Sequence, residues 1–93
     1  MKAPTKDQIK ERLLSEGFSD IHEYNDPPNE EFPDHGHSGD QLLIVLSGSI
    51  TIRMNGETST LKAGEEQFFP ANVPHSAQIG PEGCFYIDGE RPN

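Results

Sequence analysis

Four histidines, His22, His35, His37 and His75, are the side chains of this chain best suited to chemistry near neutral pH. Imidazole is the side chain that changes charge there without perturbation, and it is also the commonest metal ligand. Two of the four stand two residues apart. On a strand, positions i and i+2 point to one face, so His35 and His37, separated only by Gly36, present two imidazoles side by side. That spacing suits a shared metal ion; a solvated, exposed pair is the competing reading of the segment by itself. Gln41 has the same parity and brings an amide oxygen to the same face if the strand resumes after a turn at Ser38-Gly39. His75 has to arrive from another strand, which sheet folding makes ordinary. His22 and Tyr24 share a face of a further strand; Tyr24 is assigned to the pocket border, and His22 either joins it or stays exposed.

The elements that must position these side chains are short. Thr5 with Gln8 forms a capping box, Ile9, Leu13 and Leu14 recur on one face, and Gly17 suits the residue after the helix end, so one helix is predicted over 5–16. A helix of that length is not stable alone and must lay Ile9 and Leu13 on a sheet edge or a partner chain. After Phe18 the chain is punctuated by Pro27-Pro28, Pro33, Gly36, Gly39, Gly48, Asn55-Gly56, Gly64, Pro70, Pro74, Gly80-Pro81, Gly83 and Gly89, a spacing that predicts turns between short strands. Ser49 to Met54 alternates, and Asn55-Gly56 then supplies the two positive-φ residues of a type I′ hairpin. The prediction is one all-β domain over 1–93, a small antiparallel barrel or sandwich over residues 20–89 behind one N-terminal helix. Leu42 to Leu46, Phe68, Phe69 and Phe85 are assigned to the core, and Cys84 packs as a small hydrophobe. Leu43 and Ala77, by parity with Gln41 and His75, line the cavity.

Composition narrows the partners. The chain has 93 residues, 7 Lys or Arg and 16 Asp or Glu, for a net charge of −9, and from Leu13 to Ile52 it carries eight acids and no Lys or Arg. Without a basic stripe it is a poor nucleic-acid partner, because neutralising phosphates dominates that affinity. Val, Ile, Leu and Phe make up 20 of 93 residues, close to the level at which charged chains stay disordered, yet they cluster into strand-like runs that can bury one face. No run approaches the roughly 18 apolar residues of a membrane span, and Met1 to Asp7 lacks the apolar stretch of a leader, so a cytoplasmic protein is expected. A lone Cys84 excludes an intramolecular disulfide.

The intervals around the histidines carry a family resemblance. His35-x-His37 is followed by three residues, Gln41, six residues and Gly48; Gly64 is followed by five residues, Pro70, one residue, Asn72, two residues and His75. This resembles the two motifs of the cupin family, over residues 29 to 79. The fifteen residues between Gly48 and Gly64 are near the shortest separation cupins show. Asn29 and Asn72 stand where the motifs have glycine, a mild change because Asn tolerates left-handed backbone. Ile79 replaces the last Asn. At position 41 metal-binding cupins usually have Glu; taking Asp40 as the carboxylate instead reverses its parity relative to His35 and His37, so Gln41 is preferred.

The resemblance implies a cupin β-barrel (double-stranded β-helix, or jelly roll) with one divalent transition metal held by His35, His37, Gln41 and His75. Three imidazoles and an amide oxygen suit Mn, Fe, Co, Ni, Cu or Zn and are too nitrogen-rich for Mg or Ca. A neutral Gln41 leaves the ion its full charge, which predicts weaker metal affinity and stronger attraction for anionic ligands. A barrel that has lost its metal is the competing consequence of the same change. The implied chemistry is a dioxygenase or Lewis-acid isomerase on a small oxygen-rich molecule; a binding or sensing module, or a metal-free barrel, are the rivals. The pocket offers no further well-placed carboxylate on this reading. The small core and the sheet edges point to a homodimer.

Overall fold

The computed structural model describes residues 4–92; Asn93 and Met1, Lys2 and Ala3, part of the stretch read for a leader, lie outside them. In chain order the elements are α1 (Lys6–Ser15), β1 (Asp20–Asp26), β2 (Glu31–His35), β3 (Asp40–Met54), β4 (Glu57–Lys62), β5 (Glu66–Phe69) and β6 (His75–Arg91). β3 and β6 pair along their lengths; β1 and β2 add to β6, and β4 and β5 add to β3, all antiparallel.

Helix α1 forms where its caps dictate. The Thr5 hydroxyl accepts from Gln8 N at 3.2 Å and the Gln8 amide oxygen accepts from Thr5 N at 2.9 Å, closing the capping box. At the other end Gly17 sits at φ +87°, and Phe18 N–H donates to Leu13 O at 2.9 Å, which ends the helix in a Schellman turn. Ile9 and Leu13 are buried, but against the outer face of the sheet, with Phe18, Leu42, Ile44 and Ile87, and not against an edge. Leu14 shares no part of that contact and is exposed. The helix comes close enough to β6 that a Cβ at Gly89 would stand 2.8 Å from that of Phe18.

This outer layer explains the unbroken apolar run of β3. Leu43 and Val45 face the barrel interior with Ile50, Ile52, Leu61, Phe69, Ile79, Cys84 and Tyr86, while Leu42 and Ile44 face α1. A strand covered on both faces reads as continuous hydrophobicity, and one covered on one face alternates, as Ile50 and Ile52 do.

The expectation of short strands separated at every Gly and Pro is corrected. β3 runs for 15 residues and β6 for 17, and Pro33, Gly48, Gly80, Pro81, Gly83 and Gly89 all lie inside strands. β3 shifts register against β6 between Val45 and Ser47, opposite Tyr86 and Phe85, and again between Gly48 and Ile50, opposite Gly80 to Gly83. There the backbones nearly touch: a Cβ on Gly48, at φ +76°, would lie 2.0 Å from Gly83 O. The bulges bend both strands and reverse their inside-outside parity, so odd positions face inward before Gly48 and even ones after it. The Asn55-Gly56 hairpin adopts φ +55° and +78°, and Asn29 and Asn72 hold φ +65° and +63°, the left-handed backbone that glycine supplies at those motif positions.

Candidate metal centre

β2 and β6 meet in register with His35 opposite His75, and β6 begins at His75. His37 follows β2 by two residues. Asn72 N–H donates to His37 O at 2.7 Å, tying the loop after β2 to the loop that leads into His75. His75 is thereby brought to the His35-His37 pair from a distant part of the chain: one ligand atom from each of His35, His37 and His75 lies within 4.8 Å of the others. Nitrogens sharing one ion at bonds of about 2.1 Å stand roughly 3–4 Å apart, so small side-chain rotations close the cluster.

The hydrogen bonds orient the rings. His35 Nδ1 bonds Pro33 O at 2.8 Å and His75 Nδ1 bonds Val73 O at 3.3 Å, each carbonyl two residues back. His37 Nδ1 faces Glu90 Oε1 at 3.4 Å. A proton held on Nδ1 leaves Nε2 with its lone pair, the arrangement in which carbonyls and carboxylates behind metal-binding histidines fix tautomer and angle. Phe69 stacks on His75 with centroids 4.1 Å apart, and the burial of His75 lowers its pKa, with the other two imidazoles adding to the shift.

Gln41 comes from the start of β3, opposite Phe69 of β5 and Glu90 of β6. It is 6 % exposed, and its Nε2 donates to Asp88 Oδ2 at 2.7 Å. Among the described residues, His37 Nε2 and Gln41 Oε1 are the buried side-chain polar atoms without a hydrogen-bond partner. A buried acceptor left unpaired costs about 1–3 kcal/mol, so these two atoms, on residues that line one cavity with His35 and His75, are open to a ligand. The donor set fits a divalent transition ion. Asp40, the alternative carboxylate, instead accepts from Ala71 N at 3.0 Å and faces Arg91.

These residues line a cavity of about 260 Å³ that also takes in Tyr24, Leu43 and Ala77, the three side chains assigned to the pocket by parity, together with Phe32, Ile50, Ile52 and Phe69. His22 is exposed and bonds Asp20 at 2.9 Å, outside the lining. Phe68 is corrected from core to surface at 40 % exposure, whereas Phe69 is buried.

The largest correction concerns acids. The cavity was expected to lack a further carboxylate, but Asp26 and Asp88 both line it, as does Tyr86. Tyr86 donates its hydroxyl to Asp26 Oδ2 at 2.5 Å, and burial and that bond push the phenol up. Burial pushes the Asp88 carboxyl up to about 6, against the bond from Gln41. Counting alternation from His75 puts Asp88 outside, because 13 residues separate them; the bulge at Gly80 to Gly83 turns it inward. A bulge marked by Gly48 and Gly83 was the available signal.

The fold and the centre define a cupin barrel with a three-histidine cluster. The model of the cupin domain family matches residues 22–90, and the chain belongs to that family. Among solved structures it is similar to an RmlC-like cupin from Shewanella frigidimarina, at 27% identity and TM-score 0.71 over 78% of this chain and 65% of that one. A cupin-like protein from Thermotoga maritima is similar at 26% identity and TM-score 0.70, over 76% of this chain and 55% of that one. A protein of unknown function from Rhizobium leguminosarum shares the fold at 23% identity and TM-score 0.73, over 78% and 69%. This chain thus spans about two thirds or less of the first and second of these proteins. No curated protein is significantly similar to it in sequence.

Proposed function

We propose that this cupin holds one divalent transition metal through Nε2 of His35, His37 and His75 and Oε1 of Gln41, and binds a small oxygen-rich molecule beside it. The observation that carries the reading is the pair of buried, unpartnered acceptors, His37 Nε2 and Gln41 Oε1, at the histidine cluster. When bound, such an ion supplies Lewis acidity to a ligand oxygen. The chain's own residues do the rest. Pro33 O, Val73 O and Glu90 hold the rings, and Asp88 holds the Gln41 amide nitrogen, which leaves the amide oxygen free for a ligand. Leu43, Ile50, Ile52 and Phe69 give the cavity apolar walls beside the polar groups.

Of the two chemistries, isomerase-like proton transfer has the better support. Asp88 lies in the cavity with its carboxyl raised to about 6 by burial, suited to taking up and returning a proton near neutral pH. Elemental analysis of the purified, untagged protein beside a His35→Ala, His37→Ala double variant tests the metal reading. Metal in the wild type and not in the variant is expected; equal content in both overturns it. Solvent deuterium entering small hydroxy-carbonyl compounds separates proton transfer from dioxygen chemistry, which consumes oxygen instead.

A further inference from the structure

The cavity that holds the histidine cluster has a second polar region with the opposite requirement. It is built from β1 and the second half of β6: Tyr24 stacks on Tyr86, centroids 5.2 Å apart, and Tyr86 bonds Asp26. No Lys or Arg lines the cavity, and no ion pair among the described residues engages Asp26 or Asp88. Four of the basic side chains are paired elsewhere, Lys6 and Lys10 with Glu23, Arg12 with Glu16 and Glu66, and Arg91 with Asp40, and neither Arg53 nor Lys62 lines the cavity. His22, the nearest imidazole on β1, is bonded to Asp20.

The field at this region is negative. Burial raises the Tyr24 phenol, and Asp88, Glu90, Asp26 and Asp20 all add to the shift, so four carboxylates are felt at that ring. Tyrosine faces beside carboxylates are where an organic cation gains most, through the ring quadrupole and through the charge. Among the described residues no cationic side chain lines the cavity to meet an anion there. The other region of the same cavity presents Gln41, 94 % buried by its exposure of 6 %, with an unpartnered oxygen, and the Nε2 atoms of the histidines. A divalent ion at that cluster would balance the two cavity carboxylates in charge and attract an oxygen donor.

We propose that the cavity takes a small zwitterion, an oxygen donor that reaches the histidine cluster joined to an ammonium-type cation seated against Tyr24, Tyr86 and Asp26. The oxygen end rests on the metal reading above; the cation end rests on the tyrosines and Asp26 alone. A molecule of this class with about eight heavy atoms fits within 260 Å³.

Calorimetric titration of the metal-loaded full chain with trimethylammonioacetate and with 3,3-dimethylbutanoate tests the pairing, since the two share shape and carboxylate and differ in the charge of the tail. The zwitterion is expected to bind at least tenfold tighter. Asp26→Asn, which keeps an acceptor for Tyr86, and Tyr24→Leu, at a half-exposed position, should each cut that preference to below threefold. Equal affinities, tighter binding of the uncharged tail, or no heat from either compound overturns the proposal. A parallel titration of metal-stripped protein with tetramethylammonium and with tert-butanol separates the two readings. Preference for the cation there, in a protein that never takes up metal, supports the cation seat and overturns only the metal centre. Metal uptake with no preference for the cation overturns the seat and leaves the centre standing.

Discussion

Gln41 and Asp88 meet across β3 and β6 at 2.7 Å, the amide nitrogen donating to the carboxylate, and the buried amide oxygen is left without a partner. Each residue therefore sets the state of the other. Asp88 decides which way the amide points, and Gln41 offsets part of what burial costs the Asp88 charge.

A glutamate at position 41 would place two carboxyls in that contact and remove the donor. Gln41→Glu is expected to lower the stability of the metal-free protein by about 1–3 kcal/mol at pH 8, read as a drop in Tm. Gln41→Glu combined with Asp88→Asn restores a donor and leaves one anionic ligand, so it should bind metal at least tenfold tighter than wild type. Unchanged metal affinity in the double variant would remove position 41 from the site.

Metal affinity should fall as pH drops through the ordinary histidine range near 6.5, because ligation requires neutral imidazoles. Burial lowers the pKa of His75, so proton competition at that ring begins below this range. Zinc titrations between pH 5 and 8 should therefore show a steady loss toward acid. Equal affinity at the two ends contradicts a three-histidine site.

Asp88 gives the folded protein an opposite trend. Its folded pKa of about 6 lies above the usual 3.8, so the folded state binds more protons than the unfolded state between those values, and stability falls as pH rises through that window. His75, with a lowered folded pKa, contributes stability that is full above about 6.5 and lost as pH falls. Asp88→Asn should raise the Tm of metal-free protein at pH 8 by the equivalent of up to about 3 kcal/mol and change little at pH 3. A gain of the same size at both pH values would show that ionisation is not its source.

The α1 layer and the cavity that holds the histidine cluster lie on opposite faces of β3. Leu13 is fully buried there, so Leu13→Ala is expected to cost about 2–5 kcal/mol by denaturant unfolding. Metal content per folded molecule should stay that of the wild type. Loss of metal at denaturant concentrations where the fold persists would mean that the helix positions the cluster.

Much of this was legible from local chemistry. The caps of α1 follow from Thr5, Gln8 and Gly17, and the hairpin from Asn55-Gly56, because each is a contact between near neighbours. His35, His37 and Gln41 share a side because the strand period carries across one bend, and the motif intervals bring in His75. Asn29 and Asn72 tolerate the backbone their positions require for reasons internal to the residue.

The amino-acid order by itself thus determined the helix, the hairpin, the candidate ligands and the barrel class, since periodicity and turn chemistry act over a few residues. Only the tertiary structure decided that α1 covers a face and not an edge, that glycines bend two long strands without ending them, and that Asp26, Tyr86 and Asp88 enter the cavity. The physical reason is the bulge at Gly48 and Gly83. It inverts parity in both central strands, and it arises from the close crossing of two backbones more than thirty residues apart, which no local pattern records.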